Sequence, residues 1–403
     1  MGPGSDVEKG KCVLTINSGS SSLKFALFRD RTLERLLHGK FERVGLPDGK
    51  VSIQHYAEGK KEWPLSIPNH AACVGPLIKL LEKTASIDSI RAVGHRVVHG
   101  GPNYTETHTV TKDMLAELHR LSPFVPDHLP SGLLLIETLI KEYPHVPQIA
   151  CFDTAFHRTM PRVAKLLPIP RRFDAKGIRR YGFHGLSYSF LMQELQRLDP
   201  EAAKGRVILA HLGNGASMAA VSSGRCLDTS MAFTPAAGLV MSTRAGDLDP
   251  GLFTYLARVE GMTGEQMHKM VNAESGLLGV SEISSDMRDL VAKESSDVRA
   301  AEATALFCYQ ARKRIGAFAA VLGGLDSLIF AAGIGENMPS IRARICEGLE
   351  FLGIKLDPGL NDANAPVISR TGQPVTVRII RTDEEIFIAQ SIIRILNSQP
   401  VSP

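Results

Sequence analysis

At 403 residues, 44% apolar and 22% charged, the chain has the length and composition for two or three globular domains. Its net charge of +4 comes from dispersed Lys and Arg, so there is no basic block for nucleic acid, and no apolar run approaches the roughly 18–20 residues of a membrane span. The cysteines Cys12, Cys73, Cys151, Cys226, Cys308 and Cys346 form no C-x-x-C pair, so buried free thiols in a reducing cytoplasm are expected. Met1–Ser5 reads as a cloning remnant, and no apolar segment of signal type precedes Lys9.

In chain order, an apolar run from Val13 enters the Ser-rich tip Asn17–Lys24 and is followed at once by a second apolar run, which predicts a hairpin. Val51–His55 reads as a strand and Val74–Lys83 as a helix. A strand over Ser89–Gly94 delivers a Gly-rich loop, Gly94–Gly101, carrying Arg96. Helices over Met114–Leu121 and Ser131–Tyr143 precede a strand, Pro147–Phe152, that ends at Asp153. From Arg206 the order restarts, because Val207–Ala220 repeats the pattern of Val13–Ala26 with the tip His211-Leu212-Gly213-Asn214-Gly215. A second Gly-rich loop, Met241–Pro250, carries Arg244. The strand Ser327–Ala332 runs into Gly333–Asn337, a helix over Pro339–Leu349 follows, and a helix over Glu384–Leu396 closes the chain. Strands and helices mixed in this order indicate an α/β fold. The division expected is 6–153 with 385–403 against 154–384, the last helix returning to the first half.

Two matched tips of small residues with exposed N–H groups suit a polyphosphate. The tip Asn17–Lys24 adds hydroxyls, an amide and an amine, whereas a Ser-rich turn is its plain alternative. Neither the G-x-x-x-x-G-K-[ST] signature nor a protein-kinase motif is present, and Gly333–Asn337 is not a dinucleotide fingerprint. Taken singly, Arg96, Arg244, His184 and Asp153 have bland readings as solvated arginines, a core histidine and a helix cap.

Taken together, the runs Ile16–Lys24, Gly94–Gly101, Phe152–His157, Tyr181–Gly185, His211–Gly215, Asp228–Met231, Ser275–Gly279, Ser285–Asp289 and Gly333–Asn337 resemble the acetate kinase family over Lys11–Ala389. The resemblance implies duplicated ribonuclease H-like (actin-like ATPase) domains around a central nucleotide cleft, and a cytoplasmic homodimer. It implies reversible transfer between ATP and acetate, giving acetyl phosphate and ADP, with Mg²⁺ or Mn²⁺. Metabolic coupling to a phosphate acetyltransferase, and so to acetyl-CoA, goes with it. Matched residue by residue, it places the metal at Asn17 and Glu384, and Lys24 in the phosphate tip. It places Arg96 at the acetate carboxylate, with Val98, Phe183 and Pro235 at the methyl group. The catalytic positions are Asp153, His184 and Arg244. His211, Leu212, Gly213, Asn214 and Gly215 face the phosphates, and Asp286, Met287, Arg288, Gly333, Ile334, Gly335, Glu336 and Asn337 hold the nucleoside.

Acetate is already ionised at neutral pH, so its attack on a γ-phosphoryl group needs no base, and the obstacle is the meeting of two anions. Asp153 is therefore read as a group that positions metal-bound water or Arg244. The chain departs from the family at Val125, where a histidine is usual, at Leu186-Ser187-Tyr188 in place of Thr-Ser-His, and at Asp383 in place of Asn. His128 is read as a surface residue. Phe124, where Leu is usual, predicts a narrow pocket that prefers acetate to propionate and accepts butyrate poorly. A propionate kinase is the nearest alternative; a nucleotide-dependent scaffold and a pyrophosphate-using variant are the others.

Overall fold

A computed structural model describes residues 11–19, 22–56, 58–82, 85 and 87–398. Met1–Ser5, and Ser20 and Ser21 of the first tip, lie outside the described residues. The chain forms two compact units, one from the residues up to Ala155 together with those from Asp383 onward, the other Phe156–Thr382.

The first unit holds strands β1 (Cys12–Ser18), β2 (Ser22–Arg29), β3 (Arg35–Glu42), β4 (Lys50–His55), β5 (Gly59–Pro64), β6 (Ile90–Val97), β7 (His108–Thr109) and β8 (Gln148–Phe152). They make one sheet in the order β5-β4-β3-β2-β1-β6-β8-β7. The second unit holds β9 (Arg206–Leu212), β10 (Ala216–Ser222), β11 (Arg225–Thr229), β12 (Ser327–Ala331) and β13 (Thr376–Ile379), in the order β11-β10-β9-β12-β13. The set β3-β2-β1-β6-β8 corresponds to β11-β10-β9-β12-β13. In both, the first two pairings are antiparallel and the last two parallel. The sequence repeat is thus a repeat of architecture.

The central strands are mostly apolar because both faces of their sheet are covered. All seven residues of β1 are buried, and the hydroxyl of Thr15 donates to the Ala26 carbonyl at 3.2 Å. In the first unit the closing helix Glu384–Ser398 packs on β1 and β6. The expected strand over Ser89–Gly94 continues to Val97, so Arg96 stands on a strand between two parallel partners and not in a loop. Gly94 explains the difference. A Cβ there would lie 2.5 Å from Ile388 Cγ2 and 2.7 Å from Ile392 Cδ1, so the glycine admits the closing helix and breaks no strand. The helix expected over Pro339–Leu349 stops at Cys346. All six cysteines are free and buried. No helix among the described residues is long and apolar enough to cross a membrane.

Candidate active site

In the first unit the carboxyl ends of the adjacent parallel strands β1, β6 and β8 deliver Asn17, Arg96 and Asp153 to one place, as open α/β sheets do with ligand-binding groups. Asp153, fully buried, follows β8 directly and donates its backbone N–H to the Val97 carbonyl at 3.0 Å. Arg96 donates from Nε to both Asp153 oxygens at 3.1 Å and from Nη2 to Oδ2 at 2.6 Å. Its Nη1 donates to the Ser18 carbonyl at 3.2 Å and to Asn17 Oδ1 at 3.4 Å. Burial opposes the charge of this guanidinium, but Asp153 and then Glu384 outweigh it and raise the Arg96 pKa. Asp153 is therefore paired with Arg96. The strand ends make Arg96 its neighbour.

Asn17 donates from Nδ2 to Glu384 Oε2 at 2.7 Å, which brings together the two residues expected to hold a metal. Lys24 stands directly opposite Asn17 across the hairpin, on the same face. One carboxylate and one amide oxygen are a hard donor set that suits Mg²⁺, which is ordinarily held by one or two carboxylates plus phosphate oxygens and water. Among the described residues there is no cluster of three His, Cys, Asp or Glu side chains that would cage a metal by itself. His70, not anticipated from sequence, makes a 2.8 Å hydrogen bond to the Gly19 carbonyl and anchors the tip. His128 is half-buried and lines a small cavity with Ser18, Arg96 and Val98, in contrast to the surface position expected. Val125 is core, and Phe124 meets His99 edge-on with ring centroids 5.7 Å apart.

In the second unit the tip Gly213–Gly215 joins β9 to β10, and β12 lies parallel beside β9 with Ala331 opposite His211. This register sets Gly333–Asn337 next to the tip: a Cβ on Gly213 would lie 3.4 Å from the Ala332 Cβ. Ala332 itself has φ 64°, a strained turn for a residue with a side chain. Glu336 stabilises that turn by accepting from the N–H groups of Ala332 and Thr382 at 2.7 and 3.0 Å. Arg342, fully buried and missed from sequence, donates to the Gly335 carbonyl at 2.9 Å. Burial lowers its pKa to about 10.

His184 precedes the helix Gly185–Leu198 with φ 59°, again left-handed for a residue with a side chain. Its ring stacks on His211 with centroids 4.2 Å apart. Each imidazole is anchored by a serine: His184 Nδ1 is 2.8 Å from Ser217 Oγ, and His211 Nδ1 is 2.8 Å from Ser187 Oγ. The loop of Arg244 is tied to the tip by the Ser242 N–H, which donates to the Asn214 carbonyl at 3.1 Å. Arg244 Nη1 donates to the Pro235 carbonyl at 3.0 Å. His184 and Arg244 converge on the tip, since a Cβ on Gly215 would lie 3.2 Å from His184 Nε2 and 3.7 Å from Arg244 Nη1. Phe183 is buried, and its carbonyl is 2.9 Å from His157 Nε2. Asp286 caps the helix Met287–Lys293 and pairs with the exposed Arg288 at 2.6 Å, while Met287 is core. Ser187 and Ser217 were missed as functional candidates, although both stand inside quoted or departing motifs.

Two sheets that share a five-strand order, each with charged or imidazole side chains gathered at its strand ends, define a phosphotransferase on the duplicated actin-like fold. The sequence profile of the acetokinase family matches residues 12–390. The chain is 41% identical over 400 residues to the acetate kinase of Methylocella silvestris, covering 96% of this chain and 98% of that protein. To the acetate kinase of Chromobacterium violaceum it is 42% identical over 384 residues, covering 94% and 96%. Among solved structures, the acetate kinase of Porphyromonas gingivalis aligns with a TM-score of 0.88 at 36% identity, covering 96% of this chain and 100% of that one. A propionate kinase of Francisella tularensis aligns with a TM-score of 0.89 at 34% identity, covering 94% and 98%. The chain belongs to the acetokinase family.

Proposed function

We propose that the chain is a kinase for acetate, moving the γ-phosphoryl group of ATP to the acetate carboxylate by direct in-line transfer and reversibly making acetyl phosphate and ADP. The observation that carries this reading is the convergence of His184 Nε2 and Arg244 Nη1 on the tip glycine Gly215. Two donors at a phosphate tip are what a transfer between anions requires. His184 and Arg244 hold the equatorial oxygens of the moving group. Arg96 neutralises the acetate carboxylate, and Asp153 keeps Arg96 in place. His211 to Gly215 and Lys24 hold the phosphates, and Asp286 to Arg288 with Gly333 to Asn337 hold the nucleoside. Asn17 and Glu384 hold Mg²⁺, which neutralises phosphate charge when bound. Val98, Phe183 and Pro235 enclose the methyl group.

Propionate kinase is kept as a second reading because the Francisella tularensis propionate kinase is as similar in fold as the acetate kinases are. Phe124, seated edge-on against His99, favours the smaller acid. Hydroxylamine trapping of acyl phosphate from MgATP with acetate, propionate and butyrate separates the two. One methylene in an apolar pocket is worth about 10- to 200-fold, so acetate should lead and butyrate should be poorest. Equal efficiency on acetate and butyrate would overturn the pocket assignment, and no acyl phosphate from any acid would overturn the reaction. A cytoplasmic homodimer working beside a phosphate acetyltransferase completes the proposal.

A further inference from the structure

We propose that Tyr188 fixes the tautomer of His184 through Ser217, so that His184 presents a neutral Nε2–H to the phosphoryl group. The proposal rests on the reading of His184 as a phosphoryl-binding residue. Tyr188 is fully buried, and its hydroxyl lies 2.5 Å from Ser217 Oγ, which is in turn 2.8 Å from His184 Nδ1. The ring cannot swing away, because Phe156 and His157 pack around it with centroids 5.5 and 5.8 Å distant.

Three polar atoms in a row share a small number of protons, and counting them decides the arrangement. The hydroxyl of Tyr188 carries one proton, which burial holds on the oxygen by pushing the phenol pKa far up. Ser217 Oγ is its hydrogen-bond partner among the described residues. If Tyr188 donates to Ser217, the Ser217 proton goes to His184 Nδ1, and the imidazole must carry its own proton on Nε2. If instead His184 Nδ1–H donates to Ser217, one of the two hydroxyl protons of the row, that of Ser217 or that of Tyr188, is left buried without an acceptor within it. A buried unsatisfied donor is the costlier state.

The Nε2–H tautomer is the one the chemistry needs. A lone pair at Nε2 would repel an anionic phosphoryl oxygen, whereas an N–H there donates to it. Tyr188 is a positioning residue, reaching His184 only through Ser217.

The test uses the full chain with ¹⁵N-labelled histidine and bound MgADP, reading the His184 tautomer from long-range ¹H–¹⁵N correlations in the wild type and in Tyr188→Phe. The wild type should show a protonated Nε2 and a bare Nδ1. Tyr188→Phe should show both tautomers, with kcat lowered about tenfold and KM for acetate and MgATP changed less than about threefold, a tenfold loss corresponding to about 1.4 kcal/mol of transition-state binding. Ser217→Thr, which keeps the hydroxyl, should retain the wild-type tautomer, and Ser217→Ala should lose it. An Nδ1–H imidazole in the wild type overturns the proposal even if no variant folds, and so does an unchanged tautomer in Tyr188→Phe. A tautomer that switches while kcat stays unchanged upholds the proton arrangement and overturns the role of His184 in transfer.

Discussion

Asp153 stands at zero exposure beside a guanidinium that donates to both its oxygens, and it follows that its charge and its hydrogen-bonding shape have separable consequences. Asp153→Ala removes the carboxylate to which the largely buried Arg96 is hydrogen-bonded, which should cost about 3–5 kcal/mol of stability in urea denaturation. Asp153→Asn keeps one acceptor oxygen and the size of the side chain. It should fold, with acyl phosphate formation reduced by about 10² as Arg96 loses its alignment. A near-normal rate in Asp153→Asn would mean that the carboxylate charge has no part in the reaction. Asp153 and Arg96 were both readable from their motifs. Their pairing was not, because 57 residues separate them in sequence and only the register of β6 with β8 makes them neighbours.

At the scale of elements, β6 illustrates how a glycine can be misread. Gly94 followed by more glycines marks a loop by every local signal, yet it lies inside a strand with parallel partners on both sides. The missing side chain is the seat of Ile388 and Ile392 on the closing helix. Gly94→Ala should therefore overpack that contact and lower stability by about 1–3 kcal/mol, with Ile388→Val recovering part of the loss in a double-mutant comparison of urea midpoints. If Gly94→Ala costs nothing, the closing helix is not seated as described. The tips behaved oppositely. Both hairpins were legible because strand, turn and strand are contiguous, so that the local pattern carries all the information the element needs.

For the whole molecule, two buried histidines make stability depend on acid. His95 bonds Gln148 Oε1 at 2.7 Å and His157 bonds the Phe183 carbonyl at 2.9 Å. Burial lowers both pKa values to about 4, against the opposing effect of those bonds. The native state stays neutral where the unfolded chain, with histidines near 6.5, takes up protons. The unfolded state then binds more protons, so the stabilisation is complete above about pH 6.5 and is lost as pH falls towards 4. Each histidine contributes a slope of about 1.4 kcal/mol per pH unit, and the pair about twice that. Urea midpoints should fall steeply between pH 6.5 and 4.5, and His157→Gln should flatten the slope by about half. Equal midpoints at pH 7 and pH 5 would contradict the neutral, buried state of both rings.

The sequence by itself determined the α/β class, the duplicated hairpins, the positions of several further strands and helices, and which residue types were available for anion chemistry. It could do so because periodicity, turn composition and motif spacing are local properties of the chain. Tertiary structure alone decided other partnerships: Asp153 with Arg96, and Tyr188 through Ser217 to His184. Those contacts are made by strand order and by helices returning to distant strands, and a side chain's charge and proton state follow from the neighbours that the fold supplies.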